Sequence, residues 1–128
     1  YSNIAYQCAK MKDAGEREKL RKWIFDTEYG QFGLPKPDLN IFLDVPVGFV
    51  EQKLENPRNG DDREYLAGRS DIHEADIDFQ KAVREVYLGQ CEVDPDFIRI
   101  DCSDSEGNML PPDMIATEVR TEIDKNWK

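Results

Sequence analysis

A short apolar run between two proline-marked turns constrains the fold of this chain more than any other feature. It lies within residues 34–46, Leu-Pro-Lys-Pro-Asp-Leu-Asn-Ile-Phe-Leu-Asp-Val-Pro, and extends from Leu39 to Leu43. A continuous apolar run of this length, flanked by helical patterns, predicts a parallel strand that is buried on both faces. Ligands of open α/β sheets bind beyond the carboxyl ends of such strands. Asp44 and the segment after Pro46 are therefore the first place to look for chemistry.

Helical and strand patterns alternate along the rest of the chain. The order predicts helices over 2–13 and 16–29, the strand over 39–43, a helix over 46–56, a polar loop over 58–70, a helix over 71–89, a strand over 97–101 and a helix from 111. This alternation favours a parallel α/β sheet with right-handed crossovers. Two strands do not make a stable sheet, so we expect further strands upstream of Tyr1 and poor folding of these residues alone.

Size, charge and cysteine content exclude several classes of protein. A chain of 128 residues forms one domain at most, and its net charge of -10 argues against binding a nucleic acid backbone. The three cysteines lack the spacing of a disulfide framework or a zinc site. We find no apolar stretch of membrane-spanning length and no signal peptide, and we expect a cytoplasmic protein with no membrane partner.

Three stretches of the sequence form a characteristic set. They are Ser-Asn-Ile-Ala-Tyr-Gln at 2–7, Phe-Gly-Leu-Pro-Lys-Pro-Asp-Leu at 32–39 continuing into Phe-Leu-Asp-Val-Pro at 42–46, and Asp-Ile-His-Glu at 71–74. Together with Asp76, Phe79, Val83 and Tyr87, their order and spacing resemble thymidylate kinases of the P-loop nucleoside monophosphate kinase family. The resemblance implies a three-layer α/β/α fold of the P-loop kinase type, with residues 1–128 as its C-terminal part and a lid at about 57–73.

The same resemblance implies a reaction and its cofactors. Thymidylate kinases transfer the γ-phosphoryl group of ATP to dTMP, giving dTDP, with the help of Mg²⁺. The phosphate-binding loop of the family, Gly-x-x-x-x-Gly-Lys-Ser/Thr, does not occur in this sequence, and neither does the Asp-Arg pair expected ahead of Tyr1. ATP and Mg²⁺ would therefore depend on upstream residues, and we expect this part alone to be inactive.

Three residues of the first predicted helix correspond to substrate-binding positions of the family. The resemblance places Asn3 at a position that hydrogen-bonds thymine in some members, and Gln7 lies one helical turn further along. A carboxamide offers both the donor and the acceptor that the base requires. Tyr6 matches the aromatic ring that leaves no room for a 2′-hydroxyl. The alternatives are a helix cap for Asn3, a solvated residue for Gln7 and a core aromatic for Tyr6.

Arginines are the candidate catalytic residues of the polar loop. Arg58, Arg63 and Arg69 fall where the family has its lid, and we favour Arg63 and Arg69. Guanidinium groups suit the phosphate oxygens of a migrating phosphoryl group. The alternative is a solvated loop in which these arginines pair with neighbouring carboxylates.

The remaining candidate residues follow the lid and the last strand. Asp71 and Glu74 correspond to acidic positions that orient lid arginines or substrate, although capping of a helix explains them equally. His73 corresponds to the aromatic position beside the substrate and, as the only histidine, has no partner for a triad or a metal cluster. Ser103 and Asp104 match the region near the adenine ring, or form a simple turn.

The function and the oligomeric state have open alternatives. A non-catalytic domain that keeps the fold to bind a nucleotide or a protein, or another P-loop kinase acting on deoxynucleosides, would fit the same residues. We also expect a homodimer, as in thymidylate kinases, because the first two helices carry more apolar residues than one sheet face requires. Those residues are Ile4, Cys8, Met11, Trp23 and Ile24.

Overall fold

The fold is a small mixed α/β arrangement built on a two-stranded parallel sheet. A computed structural model of the protein describes residues 1–55 and 77–126. Strand β1 covers Asn40–Asp44 and strand β2 covers Phe97–Asp101, with Asn40 opposite Phe97 and Asp44 opposite Asp101. Both predicted strands are confirmed, and β1 ends one residue later than expected. Asp44 is therefore the last residue of the strand.

Five α-helices accompany the sheet in the part of the chain that the structure describes. They are α1 (Ser2–Cys8), α2 (Ala14–Phe25), α3 (Val47–Glu55), α4 (Ile77–Val93) and α5 (Pro112–Asn126). A π-helical turn, Asp26–Gln31, extends α2. The predicted loop over 58–70 and lid over 57–73 lie outside the described residues.

The two ends of the first predicted helix are wrong. Tyr1 is the N-cap of α1 and no side chain caps the helix, so neither Ser2 nor Asn3 has the capping role that the sequence suggested. The helix also ends at Cys8 rather than near Asp13. The physical reason is that Asp13 caps α2 instead, since its carboxylate accepts the backbone N–H of Glu16 at 2.8 Å.

Helix α4 ends later than predicted. Gly89 was expected to end it, but the helix continues to Val93. Gly89 does not take the left-handed conformation that terminates a helix. The backbone N–H of Asp94 donates to the carbonyl of Gln90 at 3.0 Å, so the final turn forms beyond the glycine.

Alternate residues of each strand contact different helices. Phe42 stacks on Tyr87 of α4 with ring centroids 4.8 Å apart, whereas its neighbour Ile41 packs with Ile100 and with Ile115 of α5. The sheet is therefore covered by α4 on one face and by α5 on the other. The cover is incomplete, because Leu43 is 43% exposed, and the prediction that β1 is buried on both faces is wrong at that position.

A second cluster of buried side chains joins α1 and α2. Ile4, Cys8 and Ile24 are each at most 4% exposed and pack together, with Val86 of α4 against them. The sequence interpretation assigned these three side chains to an apolar surface left over for a partner. The structure shows that they form part of the core of the chain itself. Trp23 of the same set remains 62% exposed.

None of the helices within 1–55 and 77–126 combines the length and the apolar character required to cross a bilayer.

Candidate functional site

A cavity of about 170 Å³ opens beyond the carboxyl end of β1. This is where the sequence directed attention, because Asp44 and the first residues of α3 form part of its wall. The wall is mainly apolar, and it combines residues of α1, β1, α3 and α4. The lining side chains that matter here are Tyr6, Phe42, Asp44, Val47, Val50, Lys81, Arg84 and Tyr87.

Asp44 is the buried charge of this site. Asp44 is 3% exposed, and both of its carboxylate oxygens accept hydrogen bonds from guanidinium groups. Arg84 of α4 binds both oxygens, with Nε 2.6 Å from Oδ1 and Nη2 2.8 Å from Oδ2. Arg99 of β2 adds Nε at 2.8 Å and Nη2 at 2.6 Å from Oδ2. A buried carboxylate needs such compensation, because an unpaired charge in the interior is costly.

The network continues to the protein surface. Arg99 also reaches Asp101 at 3.2 Å, and Arg84 approaches Glu85 at 3.4 Å. The hydrogen bonds that Arg84 donates to Asp44 raise the pKa of Arg84, which keeps this guanidinium charged. Because Asp44 already accepts from two cations, its oxygens are poorly suited to take a proton from a substrate. The arrangement is therefore better suited to binding than to general base catalysis.

Tyr6 is the predicted substrate-binding residue that the structure brings to this cavity. Its side chain is half-buried, lines the cavity, and meets Phe79 of α4 edge to face with ring centroids 5.8 Å apart. Helix α1 therefore places the aromatic ring of Tyr6 at the cavity that Asp44 also lines.

Asn3 and Gln7 do not join Tyr6. Both are exposed on α1 and lie outside the lining of the cavity. Asn3 donates from Nδ2 to Oε1 of Glu28 at 3.0 Å, which connects α1 to the π-helical turn. These two carboxamides could hydrogen-bond thymine only if the ligand extended beyond this cavity.

Ser103 and Asp104 lie in a tight turn that follows β2. The Asp104 carboxylate accepts the backbone N–H groups of Glu106 and Asn108 at 2.9 and 2.8 Å. Gly107 closes the turn with φ at +83°, a conformation that glycine adopts without strain. The Ser103 hydroxyl donates to Asp101. The polar side chains of Ser103 and Asp104 therefore form hydrogen bonds with nearby residues, as in a simple turn.

Six predicted site residues lie outside the described residues, so their positions are not assigned. They are Arg58, Arg63, Arg69, Asp71, His73 and Glu74.

Sequence reasoning missed the two arginines that hold Asp44. A signal for Arg99 existed, since a charged residue in the middle of a predicted strand requires a partner if that strand is buried in the sheet. Arg84 gave no comparable signal, because an arginine on a helix is ordinarily solvated. Its role depends on the packing of α4 on β1, which spacing alone does not specify.

Within 1–55 and 77–126, no group of three or more His, Cys, Asp or Glu side chains is placed to hold a metal ion. Comparison of the chain with protein-family models, with curated proteins and with solved structures found no match.

Proposed function

We propose that this chain is the C-terminal part of a thymidylate kinase-like nucleotide kinase, which transfers the γ-phosphoryl group of ATP to dTMP. The finer architecture belongs to this proposal too: a three-layer P-loop kinase fold, in which β1 and β2 are two strands of a larger parallel sheet. The observation that carries the proposal is the meeting of Tyr6 and the end of β1 at one cavity. In parallel α/β sheets this is the edge at which ligands bind.

The position of Tyr6 supports a nucleotide rather than a purely charged ligand. An aromatic ring beside an apolar wall suits the face of a deoxyribose or a base, and the wall contains Phe42, Val47 and Val50. A 2′-hydroxyl placed against that wall would lose its hydrogen bonds to water and gain none. Tyr6 would in this way favour deoxyribose over ribose.

The described residues contribute little to the phosphate and metal side of such a reaction. Asp44 is a carboxylate at a strand end, where a Mg²⁺ ligand could be sought, but both of its oxygens are occupied by arginine donors. The Asp104 carboxylate is occupied by its own turn. These two carboxylates therefore do not fit Mg²⁺. ATP and Mg²⁺ would rely on residues ahead of Tyr1, and phosphoryl stabilisation on Arg58, Arg63 or Arg69 of the proposed lid.

A non-catalytic nucleotide-binding domain of the same fold is the second candidate. It is favoured by the hydrogen bonding of Asp44, because both oxygens of this buried carboxylate already accept from arginine donors and are not free to act as a base. This candidate shares the cavity and the deoxyribose preference with the kinase. It differs in lacking phosphoryl transfer.

One experiment separates these functions. The complete protein is incubated with ATP, Mg²⁺ and dTMP, and formation of ADP and dTDP is followed, while binding of dTMP is measured separately by calorimetry. The kinase predicts turnover that depends on dTMP. Binding of dTMP without turnover would favour the non-catalytic domain, and absence of both would overturn the proposal.

A further inference from the structure

A second cavity, of about 390 Å³, lies at the opposite ends of the strands from Asp44. Residues that precede each strand form its wall, with Lys36 and Pro37 ahead of β1 and Asp94–Asp96 ahead of β2. The other lining residues are Tyr1, the N-cap of α1, and residues of α2 and α4. They include Tyr1, Arg21, Lys22, Phe25 and Gln90. We propose that this cavity binds a small phosphorylated molecule that also carries an N–H or O–H donor.

Gln90 supplies the first reason. It is 6% exposed and lines the cavity, and its Oε1 has no hydrogen-bond partner among the described residues. Native proteins rarely leave a buried acceptor unpaired, because the group gives up its bonds to water without replacement. A ligand that donates an N–H or O–H to Oε1 would remove this deficit.

The charges around the cavity supply the second reason. Arg21 is held by Glu18, through Nε at 2.8 Å and Nη2 at 2.6 Å, whereas Lys22 and Lys36 have no ion pair with a described residue. Asp94 accepts the Tyr1 hydroxyl and the backbone N–H of Asp96.

The balance of charges at the cavity differs from that of the chain as a whole. The chain carries a net charge of -10, whereas the cavity is lined by three cationic side chains, Arg21, Lys22 and Lys36, against two carboxylates, Asp94 and Asp96. A dianionic phosphate matches two ammonium groups, and lysine is a common phosphate ligand.

The aromatic side chains of the cavity indicate the size and shape of the part of the ligand that is not phosphate. The rings of Tyr1 and Phe25 meet edge to face with centroids 5.3 Å apart, and Pro37 adds apolar surface. A sugar or a planar ring fits such walls, and the cavity volume lies within the range of small-molecule sites. The site does not depend on the proposed kinase function, because it lies at the other end of the sheet.

The test is an NMR titration of isotope-labelled protein with uridine 5′-monophosphate and with ribose 5-phosphate. Uridine, which lacks the phosphate, and inorganic phosphate, which lacks the ring, are the matched controls. We expect backbone amide shifts at Phe25, Lys36, Gln90 and Asp96, and about tenfold tighter binding of the nucleotide than of either control. Absence of shifts at this cavity up to millimolar nucleotide and sugar phosphate would overturn the proposal. Shifts confined to the Tyr6 cavity would also overturn it, although they would agree with the proposed kinase.

Variants then identify the groups responsible. Gln90→Met keeps the size of the side chain but removes the acceptor, and should weaken nucleotide binding about tenfold. It should also raise Tm by about 3 °C, because a buried unpaired oxygen is lost. Lys22→Gln combined with Lys36→Gln should weaken both nucleotide and inorganic phosphate, whereas Lys19→Gln on the exposed side of α2 should change neither. Equal binding by the wild type, the Gln90 variant and the double lysine variant would refute the assignment.

Discussion

Asp44 at the end of β1 and Arg84 in α4 are 40 residues apart in the chain, yet they form a two-point ion pair, with donor–acceptor distances of 2.6 and 2.8 Å. The pair fixes the orientation of α4 above the sheet at the position where the candidate ligand cavity opens. Arg99 binds the same carboxylate from the neighbouring strand. One buried carboxylate thus joins β1, β2 and α4.

Asp44→Asn should lower the free energy of unfolding by about 3 kcal/mol, the cost of breaking a buried ion pair by removing one partner. The amide keeps the shape of the side chain but leaves two guanidinium groups without their shared anion. Urea unfolding at neutral pH measures the change. Glu85→Gln is the matched control, because Glu85 also pairs with Arg84 but is exposed, and its loss should cost at most about 0.5 kcal/mol. Equal effects of the two substitutions would show that Asp44 is not the centre of the network.

The sequence was most informative where a pattern was local. Both strands follow directly from apolar runs and turn residues, and each lies within one residue of its predicted bounds. The first helix was placed less well because a side chain that can cap a helix need not do so: Tyr1, not Asn3, is the N-cap of α1, and Asp13, predicted as the end of that helix, caps α2 instead. Gly89 misled for a similar reason, since glycine permits a helix end without requiring one.

The candidate site was predictable only in part, because its geometry depends on packing. The rule for parallel sheets located the cavity beside Asp44, and the resemblance to thymidylate kinases brought in Tyr6. No local pattern could show that Arg84 and Arg99 meet at Asp44, since that contact requires α4 to lie on the sheet. The same limit explains why Ile4, Cys8 and Ile24 were taken for a partner surface when they pack inside the chain.

Stability should decline at alkaline pH because of Tyr1. Burial and the hydrogen bond to Asp94 raise the pKa of Tyr1 above its ordinary value of about 10. Below that pH the phenol is protonated in both states, so its contribution is fully present. As the pH rises above about 10, the unfolded state releases the proton while the folded state keeps it, and folding loses stability.

Tyr1→Phe provides the measurement for this pH effect. Urea midpoints of the wild type and the variant should differ at neutral pH, because the variant lacks the bond to Asp94. The difference should narrow as the pH is raised above about 10, since only the wild type has a phenol to ionise. A constant difference across this range would contradict the assigned pKa shift.

The sequence predicted a homodimer in which five apolar side chains of the first two helices lie at the interface. Three of them, Ile4, Cys8 and Ile24, pack in the core of the chain instead. Trp23 is 62% exposed on α2, and large exposed aromatic residues are frequent hot spots of interfaces. If α2 lies in a two-fold interface of the complete protein, Trp23→Ser should weaken dimerisation by about 2 kcal/mol, roughly thirtyfold in Kd. Sedimentation velocity of the complete protein measures this change, with Lys19→Ser as the control on the same helix. A monomer at micromolar concentration, or a dimer unaffected by the Trp23 substitution, would exclude this interface.

Tyr6 provides the sharpest test of the proposed substrate. Its ring borders the cavity at the end of β1, so a ribonucleotide bound there must displace it or bury an unpaired 2′-hydroxyl at a cost of about 1–3 kcal/mol. Tyr6→Ala in the complete protein should therefore reduce the preference for dTMP over its ribose analogue by roughly 5–150-fold in kcat/KM. Binding of dTMP itself should weaken because packing is lost. Tyr6→Phe keeps the ring and should preserve the preference, whereas Asn3→Ala should affect both sugars equally because Asn3 lies outside the cavity lining. If Tyr6→Ala left the ratio of kcat/KM values unchanged, Tyr6 would be a packing residue beside Phe79, and the sugar preference would have to arise elsewhere in the protein.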